Sequence, residues 1–256
     1  MWESRVLDKL RRDEPVLCAK QNVTNAWVTE IAGLVGFDCM WLCMEHCTGD
    51  YAAIEHSIRA AKLHSMDAMV RVSKAGYSDM IRPLELDAAG VMYPHCMSPQ
   101  EAAQAVWTLK FHPIGRRPID GGNIDGDFCT LPLAEYVARS NEQKFLAVQI
   151  EDKEAVEHIE AIAATAGIDI VFIGPGDLSH SLGVPGQAEH PLIGEAIERV
   201  EAACQRHGKH WGLPVSSATI RAYYDRGARF FATCADVIGL RQYFKDNLEA
   251  VRRALV

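Results

Sequence analysis

The sequence has no long apolar segment, no block of like charge and no dense cysteine framework of the kind that staples a small fold. No apolar run approaches the roughly 20 residues of a membrane span, and residues 1–15 contain no signal-peptide core. The formal net charge is −8, so we do not expect the basic surface that nucleic acid or an anionic membrane requires. These absences predict no nucleic-acid partner and no membrane attachment.

The 8 cysteines are scattered along the chain, and several lie in apolar stretches. This distribution is typical of free thiols in a reducing compartment, and we predict a cytoplasmic protein. Cys43, His46 and Cys47 come close together, but their spacing is not that of a C-x-x-C zinc motif. We therefore do not expect structural zinc there.

The length and composition suit one large hydrophobic core. The chain has 256 residues, of which 48% are hydrophobic, and about 250 residues is the usual size of a (β/α)₈ barrel. It shows neither a linker nor an internal repeat. We predict a single domain over residues 1–256.

Residues 144–182 read as a strand, a helix and a second strand. Apolar residues alternate over 146–150, recur at helical spacing over 156–166, and then form the run Ile168–Ile173. Glu151 and Asp177 therefore follow the carboxyl ends of two consecutive parallel strands, the edge where α/β folds bind ligands. Because neighbouring carboxylates repel unless a cation lies between them, this pair predicts a divalent ion held by oxygen ligands.

The same alternation of strand and helix runs through the rest of the chain. It predicts an α/β fold, a (β/α)₈ TIM barrel, with strands at 15–20, 37–44, 67–72, 90–94, 146–150, 168–173, 209–213 and 228–233. Residues 110–130 are rich in glycine and proline, which indicates a long functional loop. A terminal helix is expected from about residue 238 to 254.

The predicted strand ends bring polar side chains to one rim of the barrel. They are Glu45 with His46, Arg71, Gln149 with Glu151, and residues 174–177. This set suits enolate chemistry on a 2-oxo acid, since a metal ion polarises the keto group, an arginine stabilises the oxyanion and a histidine moves protons. No lysine is expected at a strand end in this set, which argues against a Schiff-base mechanism.

With these residues in place, the sequence resembles the metal-dependent class II pyruvate aldolases of the phosphoenolpyruvate/pyruvate superfamily. That family includes the 2-keto-3-deoxy sugar-acid aldolases and the 4-hydroxy-2-oxoheptanedioate aldolases. The resemblance covers nearly the whole chain, and the segments that carry it are WLCMEH (41–46), VR (70–71), LELDAAGVMYPH (84–95), GRR (115–117), VQIED (148–152) and FIGPGDLSHSLG (172–183).

The resemblance implies a barrel with an exchanged C-terminal helix, assembled as a homo-oligomer, usually a hexamer. It implies that Mg²⁺, Mn²⁺ or Co²⁺ is the cofactor. It assigns roles to named residues: Glu151 and Asp177 to the metal, His46, Arg71 and Glu85 to catalysis, and Gln149, Gly176 and Asp177 to substrate binding. We further expect Arg116, in the long loop, to bind the distal carboxylate of the substrate.

Three positions depart from the family pattern. Cys43 stands where an aspartate is expected before Glu45-His46, Glu85 replaces the aspartate that partners the histidine, and Gly176 replaces an alanine. The first change removes a charge from the barrel mouth. The others are small.

The predicted reaction is reversible cleavage of a 4-hydroxy-2-oxo acid to pyruvate, or a close 2-oxo acid, and an aldehyde. One alternative is a citramalyl- or malyl-CoA lyase, although no basic groove for CoA is evident. Another is a non-catalytic barrel that binds a 2-oxo acid. Individual residues also have structural alternatives. Glu151 could cap the following helix, His46 could be an ordinary half-buried histidine, and Arg71 could pair with a neighbouring acid.

Overall fold

The computed structural model describes residues 3–255, in which eight parallel strands close into one barrel in chain order. The predicted TIM barrel is confirmed. The strands are β1 Val16–Gln21, β2 Cys39–Cys43, β3 Asp67–Arg71, β4 Gly90–Tyr93, β5 Phe145–Ile150, β6 Ile170–Ile173, β7 His210–Pro214 and β8 Phe230–Ala235. The helices are α1 Arg5–Arg11, α2 Ala26–Val35, α3 Tyr51–Leu63, α4 Tyr77–Glu85, α5 Pro99–Leu109, α6 Leu133–Gln143, α7 Lys153–Glu157, α8 Ile159–Ala163, α9 Pro175–Ser181, α10 Pro191–His207, α11 Ile220–Asp225 and α12 Asp236–Ala254.

The barrel interior is filled by alternate residues of the strands, as a period of two requires. Trp41, Phe172 and Phe230 meet edge to face, with ring centroids 5.4 Å and 5.9 Å apart. The other face of each strand packs against the surrounding helices in a second apolar layer. This packed interior leaves the carboxyl ends of the strands as the place where polar side chains can gather.

Helix α1 closes the amino end of the barrel. Val6, Leu7 and Leu10 are buried against the residues that fill the interior. The Ser4 hydroxyl accepts a hydrogen bond from the backbone N–H of Leu7 and donates one to Asp67 Oδ2 at 2.7 Å. The cap therefore ties the helix to the first residue of β3, and the amino end is sealed.

Helix α12 is 19 residues long, yet none of its residues is buried. It starts at Asp236, whose carboxylate accepts hydrogen bonds from the backbone N–H groups of Asn22, Val23 and Val237. Asp236 is thus the first residue of α12 and not its N-cap, which is Ala235, and its carboxylate holds the backbone that follows β1. Within residues 3–255, no helix combines the length and the apolarity needed to cross a membrane.

The sequence prediction misplaced some helices. Helix α6 was not predicted, because its apolar stripe is weak and only Tyr136 and Ser140 of it are buried. The single helix predicted after β5 is two short ones, α7 and α8. The break between α7 and α8 lies at His158. Its ring Nδ1 is 2.9 Å from the carbonyl oxygen of Glu154 and competes with the backbone N–H of the helix for this acceptor.

Candidate active site at the carboxyl end of the barrel

Glu151 lies at the mouth of the barrel, directly after β5, and is 0% exposed. Its Oε1 accepts a hydrogen bond from the backbone N–H of His95 at 2.9 Å, and its Oε2 accepts one from Gln149 Nε2 at 2.5 Å. Burial raises the pKa of Glu151 to about 7, although the His95 N–H and the charges of His95 and Arg71 act in the opposite direction. Asp152, not Glu151, occupies the N-cap position of α7.

Asp177 lies in the first turn of α9, after the neighbouring strand β6, and is exposed. Its negative charge acts to raise the pKa of Glu151, and the two residues follow the neighbouring strands β5 and β6. Within residues 3–255, no three His, Cys, Asp or Glu side chains form a group able to hold a metal ion by themselves. A metal at this corner would therefore need oxygen ligands from water or substrate besides these two carboxylates.

Gly174 directly follows β6 and leaves space for the Glu151 carboxylate. A Cβ at Gly174 would lie 2.5 Å from Glu151 Oε2 and 2.8 Å from Gln149 Nε2, whereas a Cβ at Gly176 would meet nothing within 4 Å. Only the first glycine is required by packing. The departure of Gly176 from the family alanine therefore opens no cavity and relieves no clash.

These two glycines give a matched prediction. Gly174→Ala displaces the Glu151 carboxylate, so we expect a ~10- to 100-fold loss of metal affinity or activity, in line with the effect of disturbing the residues that orient metal ligands. Gly176→Ala keeps activity within about twofold and stabilises the protein slightly, since alanine is the better helix former by up to about 1 kcal/mol. Metal titration and thermal unfolding of both variants check this. Equal losses in the two would contradict the steric reason.

Arg71 ends β3 and is 3% exposed. Its Nη2 donates to Cys43 Sγ at 3.1 Å and its Nη1 donates to Gln149 Oε1 at 3.4 Å, while its guanidinium lies 4.9 Å from the centroid of the Trp41 ring. Its Nε lies 3.0 Å from Glu45 Oε2. Arg71 Nε and Glu45 Oε2 form an ion pair that is not aligned as a hydrogen bond. Neither of these two atoms has a hydrogen-bond partner within residues 3–255.

Cys43, at the position of the family aspartate, contacts Arg71 and the backbone after β2. Its sulfur accepts from Arg71 and, at 3.4 Å, from the backbone N–H of His46. Burial raises the pKa of the Cys43 thiol, but the charge and hydrogen bond of Arg71, with the N–H groups of His46 and Glu45, outweigh it and hold the pKa below its ordinary value. The surroundings of this position therefore favour a negative charge, as the aspartate of the family pattern would supply.

His46 follows β2 and its side chain is 57% exposed, with Nε2 3.5 Å from Glu45 Oε2. The structure places it beside the rim formed by Glu45 and Arg71. It therefore has access to solvent and to the mouth, as a residue that exchanges protons with a bound molecule needs.

His95, to which no role was assigned from the sequence, also lies at the mouth. The backbone of His95 holds Glu151, and its ring Nδ1 lies 2.9 Å from Asp152 Oδ2 and its Nε2 3.7 Å from Glu45 Oε1. Burial lowers the pKa of His95, but the hydrogen bond to Asp152 and the charges of Glu151, Asp152 and Glu45 outweigh it and raise it. The family motif ended on His95 without assigning it a role.

Lys20 is a further residue at the mouth. It lies next to the end of β1, and its Nζ is 5.0 Å from the centroid of the inward-facing Trp41 ring. The expectation concerned only the strand ends at Glu45, Arg71, Glu151 and Asp177, so Lys20 adds a lysine at a strand end that was not considered. Strand alternation from Cys18 would have found it, because residues 18 and 20 share a face.

Glu85 and Arg116 are not brought to this rim. Glu85 is the last residue of α4, which precedes β4, so it lies at the amino end of the barrel, and its charged neighbours include Arg117 and Asp125. Arg116 is exposed, and its guanidinium lies 5.1 Å from the ring centroid of Trp107, near the end of α5. Within one chain, Glu85 therefore lies away from His46 and Arg116 lies away from the rim, and the roles predicted for the two residues stay predictions.

A closed parallel barrel whose carboxyl rim combines a buried carboxylate, an arginine and a histidine has the layout of an active site in this fold. Residues 21–241 match the family described as HpcH/HpaI aldolase/citrate lyase, and the chain belongs to this family. It is therefore an enzyme, a lyase. Members of this family are generally dependent on a divalent metal ion.

Individual relatives agree with this membership. The 5-keto-4-deoxy-D-glucarate aldolase of Klebsiella pneumoniae subsp. pneumoniae is 36% identical over 233 residues, 90% of each chain. The crystal structure of an HpcH/HpaI aldolase from Desulfitobacterium hafniense DCB-2 superposes with a TM-score of 0.91 at 31% identity over 96% of each chain. Protein CitE of Mycobacterium tuberculosis, solved with magnesium and acetate, is 14% identical with a TM-score of 0.58 over 88% of this chain and 87% of its own, which shows the shared fold alone.

Proposed function

We propose that this enzyme cleaves a 4-hydroxy-2-oxo acid, reversibly and with a divalent metal ion, into pyruvate or a close 2-oxo acid and an aldehyde. The observation that carries the proposal is the position of Glu151, a fully buried carboxylate at the barrel mouth, within one hydrogen-bonded group with Gln149 and Arg71. The relatives named as 5-keto-4-deoxy-D-glucarate aldolases support a sugar-acid substrate.

The donor set fits a hard divalent cation. Glu151 is removed from water, its hydrogen-bond donors are an amide and a backbone N–H, and the ring Nδ1 of His95 lies 3.7 Å from its Oε1. Glu151 and Asp177 would hold the ion, and Gly174 keeps the space beside Glu151 free. When bound, the ion supplies Lewis-acid polarisation of the 2-oxo group. Mg²⁺, Mn²⁺ and Co²⁺ all suit these ligands.

Arg71 stabilises the negative charge that develops on the keto oxygen when the carbon–carbon bond breaks. Its guanidinium is fixed by the Trp41 face, Cys43 and Glu45, so little reorganisation is needed as the charge forms. Gln149 lies between Arg71 and Glu151 and orients both. The backbone N–H groups of Gly176 and Asp177 lie in the first turn of α9 and would bind the substrate carboxylate.

His46 takes the proton from the 4-hydroxyl group during cleavage and returns it in the aldol direction. It is the rim histidine with the greater exposure of its side chain, 57% against 34% for His95, which is committed to Asp152. Glu85 can support His46 only if it comes from another copy of the chain, because in one chain the two residues lie at opposite ends of the barrel.

Helix α12 supports an assembly in which the last helix is exchanged between copies. Its exposed apolar residues are Val237, Ile238, Leu240, Tyr243, Phe244, Leu248 and Val251. A groove of about 280 Å³ lies between α2 and the start of α12, with Val28, Ile31 and Val35 among its walls. We propose that the α12 of a second copy covers this apolar surface in a homo-oligomer, a hexamer by family resemblance.

The double variant Ile238→Glu/Phe244→Glu tests the assembly. We expect it to dissociate to monomers and to lose activity, because charges on the exposed apolar face oppose its burial and Glu85 of a second copy is withdrawn. Sedimentation velocity measures the mass. The control Arg241→Glu/Lys245→Glu adds acidic charge on the same helix and should leave the assembly intact. A double variant with unchanged mass would contradict the exchange.

The reaction itself is tested by mixing the purified enzyme with pyruvate or hydroxypyruvate and a panel of aldehydes, with Mg²⁺ or Mn²⁺, and identifying the products by mass spectrometry. We expect a 4-hydroxy-2-oxo acid that disappears on chelation with EDTA and returns with added metal. Cleavage of a citramalyl- or malyl-CoA thioester in place of a free acid would instead indicate the CoA-dependent branch. No turnover with intact pyruvate binding would indicate a binding protein.

A further inference from the structure

Lys20 belongs to the layer of inward-facing side chains at the barrel mouth. The layer below it is apolar and includes one residue from each of several strands: Cys18, Trp41, Met69 and Ala147. Because side chains alternate along a strand, the inward positions nearer the mouth lie two residues later, at Lys20, Cys43, Arg71 and Gln149. Lys20 therefore enters from β1 the same mouth that Arg71 and Gln149 enter from β3 and β5.

One aromatic ring joins Lys20 to the reacting end of the site. Lys20 Nζ lies 5.0 Å from the centroid of the Trp41 ring, and the guanidinium carbon of Arg71 lies 4.9 Å from the same centroid. The pairing of β1 with β2 fixes this contact, because Lys20 is the register partner of Trp41. Two positive charges thus flank a single ring, and one small molecule can reach both of them.

The ammonium group of Lys20 has no hydrogen-bond or ion-pair partner within residues 3–255. Each other lysine of the chain has a carboxylate or a backbone carbonyl within 4.0 Å, namely Lys9, Lys62, Lys74, Lys110, Lys144, Lys153, Lys209 and Lys245. Lys20 is also half-buried, so its charge is partly withdrawn from water. An anionic group of a bound substrate would supply the partner that the chain does not.

We propose that Lys20 is a specificity-determining residue that binds a carboxylate on the aldehyde half of the substrate. The inference rests on the proposed function, because it assigns the two ends of one 4-hydroxy-2-oxo acid. Arg71 and the first turn of α9 act on the 2-oxo acid half, which leaves Lys20 for the far end. Arg116, for which this task was predicted, lies away from the rim in the same chain.

A carboxylate suits Lys20 better than a phosphate group does. One ammonium balances the single charge of a carboxylate, whereas a phosphate monoester carries nearly two charges and three strong acceptor oxygens. Arg71 is not free to share that load, because it is engaged with Cys43, Gln149 and Glu45. The contact is an ion pair, and an ammonium in an ion pair has no lone pair with which to form a Schiff base.

Aldol addition of pyruvate to two matched aldehydes tests the proposal. They are 4-oxobutanoate, which carries a carboxylate, and its methyl ester, which lacks the charge. With Mg²⁺ present, we expect a higher kcat/KM for the acid than for the ester. Lys20→Met should lower this acid-to-ester ratio by ~10- to 100-fold, the usual worth of a hydrogen bond to a charged group. Lys20→Arg should retain most of the ratio, and Lys20→Glu should reverse the preference.

The ratio is internal to each variant, so a partial loss of folded protein does not alter it. Lys245→Met is the matched control, since it removes the same charge from an exposed position on α12 and should leave the ratio unchanged. D-glyceraldehyde 3-phosphate against D-glyceraldehyde forms a second pair. A larger dependence on Lys20 for the phosphate pair than for the carboxylate pair would overturn the choice of a carboxylate.

Binding without turnover separates this inference from the proposed function. Isothermal titration with Mg²⁺ compares 2-oxoglutarate with 5-methyl-2-oxohexanoate, in which an isopropyl group replaces the far carboxylate. We expect Lys20→Met to weaken 2-oxoglutarate binding at least ~10-fold more than binding of the neutral acid. If this difference appears in a protein that shows no aldol turnover, the carboxylate site stands and the proposed function fails. Unchanged ratios in Lys20→Met, or borohydride trapping of pyruvate on Lys20, would overturn the proposal.

Discussion

Glu151→Gln lowers aldolase turnover by at least about 10³-fold. The amide keeps the size of the carboxylate and an oxygen for the His95 N–H, but it removes the charge that would hold the metal. Lewis-acid stabilisation by a metal ion is worth several kcal/mol, and each 1.36 kcal/mol is a tenfold change in rate. Steady-state kinetics at saturating Mn²⁺ measure the loss of turnover, and isothermal titration of Mn²⁺ into the protein measures the loss of metal binding.

We expect Glu151→Gln to lose turnover because the active site changes and not because the protein unfolds. Glu151 is buried and burial raises its pKa, so the neutral amide fits the same environment, and we expect the free energy of unfolding to change by less than about 2 kcal/mol. Glu160→Gln is the control, because Glu160 is an exposed partner of Arg206 on the outside of the barrel. A Glu151→Gln variant with near-normal turnover would exclude the proposed metal centre.

Arg71→Lys lowers kcat by about 10²- to 10³-fold, the usual effect of removing one donor to a developing oxyanion. Lysine keeps the positive charge. It lacks the planar fork that reaches Cys43, Gln149 and Glu45 from one side chain, and it stacks less well on Trp41. We expect KM for the 2-oxo acid to change much less than kcat, because the missing stabilisation belongs to the transition state.

Arg226→Lys is the matched control for this change. Arg226 pairs with Glu201 on the outside of the barrel, so the same substitution there should leave kcat unchanged. Circular dichroism and thermal unfolding confirm that both variants are folded. If Arg71→Lys raised KM and kept kcat, Arg71 would bind substrate without stabilising the enolate.

Much of the barrel could be predicted from local pattern. Strand alternation placed Gln149 and Glu151 on one inward face, and the order of strands brought Arg71 and His46 to the same rim. These side chains converge because the carboxyl ends of parallel strands share one edge. The prediction needed no knowledge of distances.

The errors come from information that a local pattern does not hold. A motif gives the type of residue at position 85, but the connectivity of the chain decides at which end of the barrel that residue lies. Glu85 ends α4, which precedes β4, and it therefore lies at the amino end. The role of His95 depends on a backbone N–H at a residue with φ of +46°, which no side-chain pattern encodes. Lys20 was within reach of the pattern and was overlooked.

The chemistry of Cys43 shows a related limit. Sequence comparison reads the cysteine as the loss of an aspartate. The surroundings, a guanidinium and two backbone N–H groups, lower the pKa of the thiol and favour its anion. The electrostatic role of a residue is thus set by its neighbours in space as much as by its type.

The most direct test of the metal-dependent enolate is deuterium exchange of the methyl group of pyruvate in D₂O, followed by proton NMR with no aldehyde present. We expect exchange with Mg²⁺, none after EDTA, and none in Glu151→Gln, since an enzyme that enolises pyruvate must release a methyl proton. Exchange that survives chelation, together with borohydride trapping of pyruvate on Lys20, would contradict the account and establish a Schiff base instead.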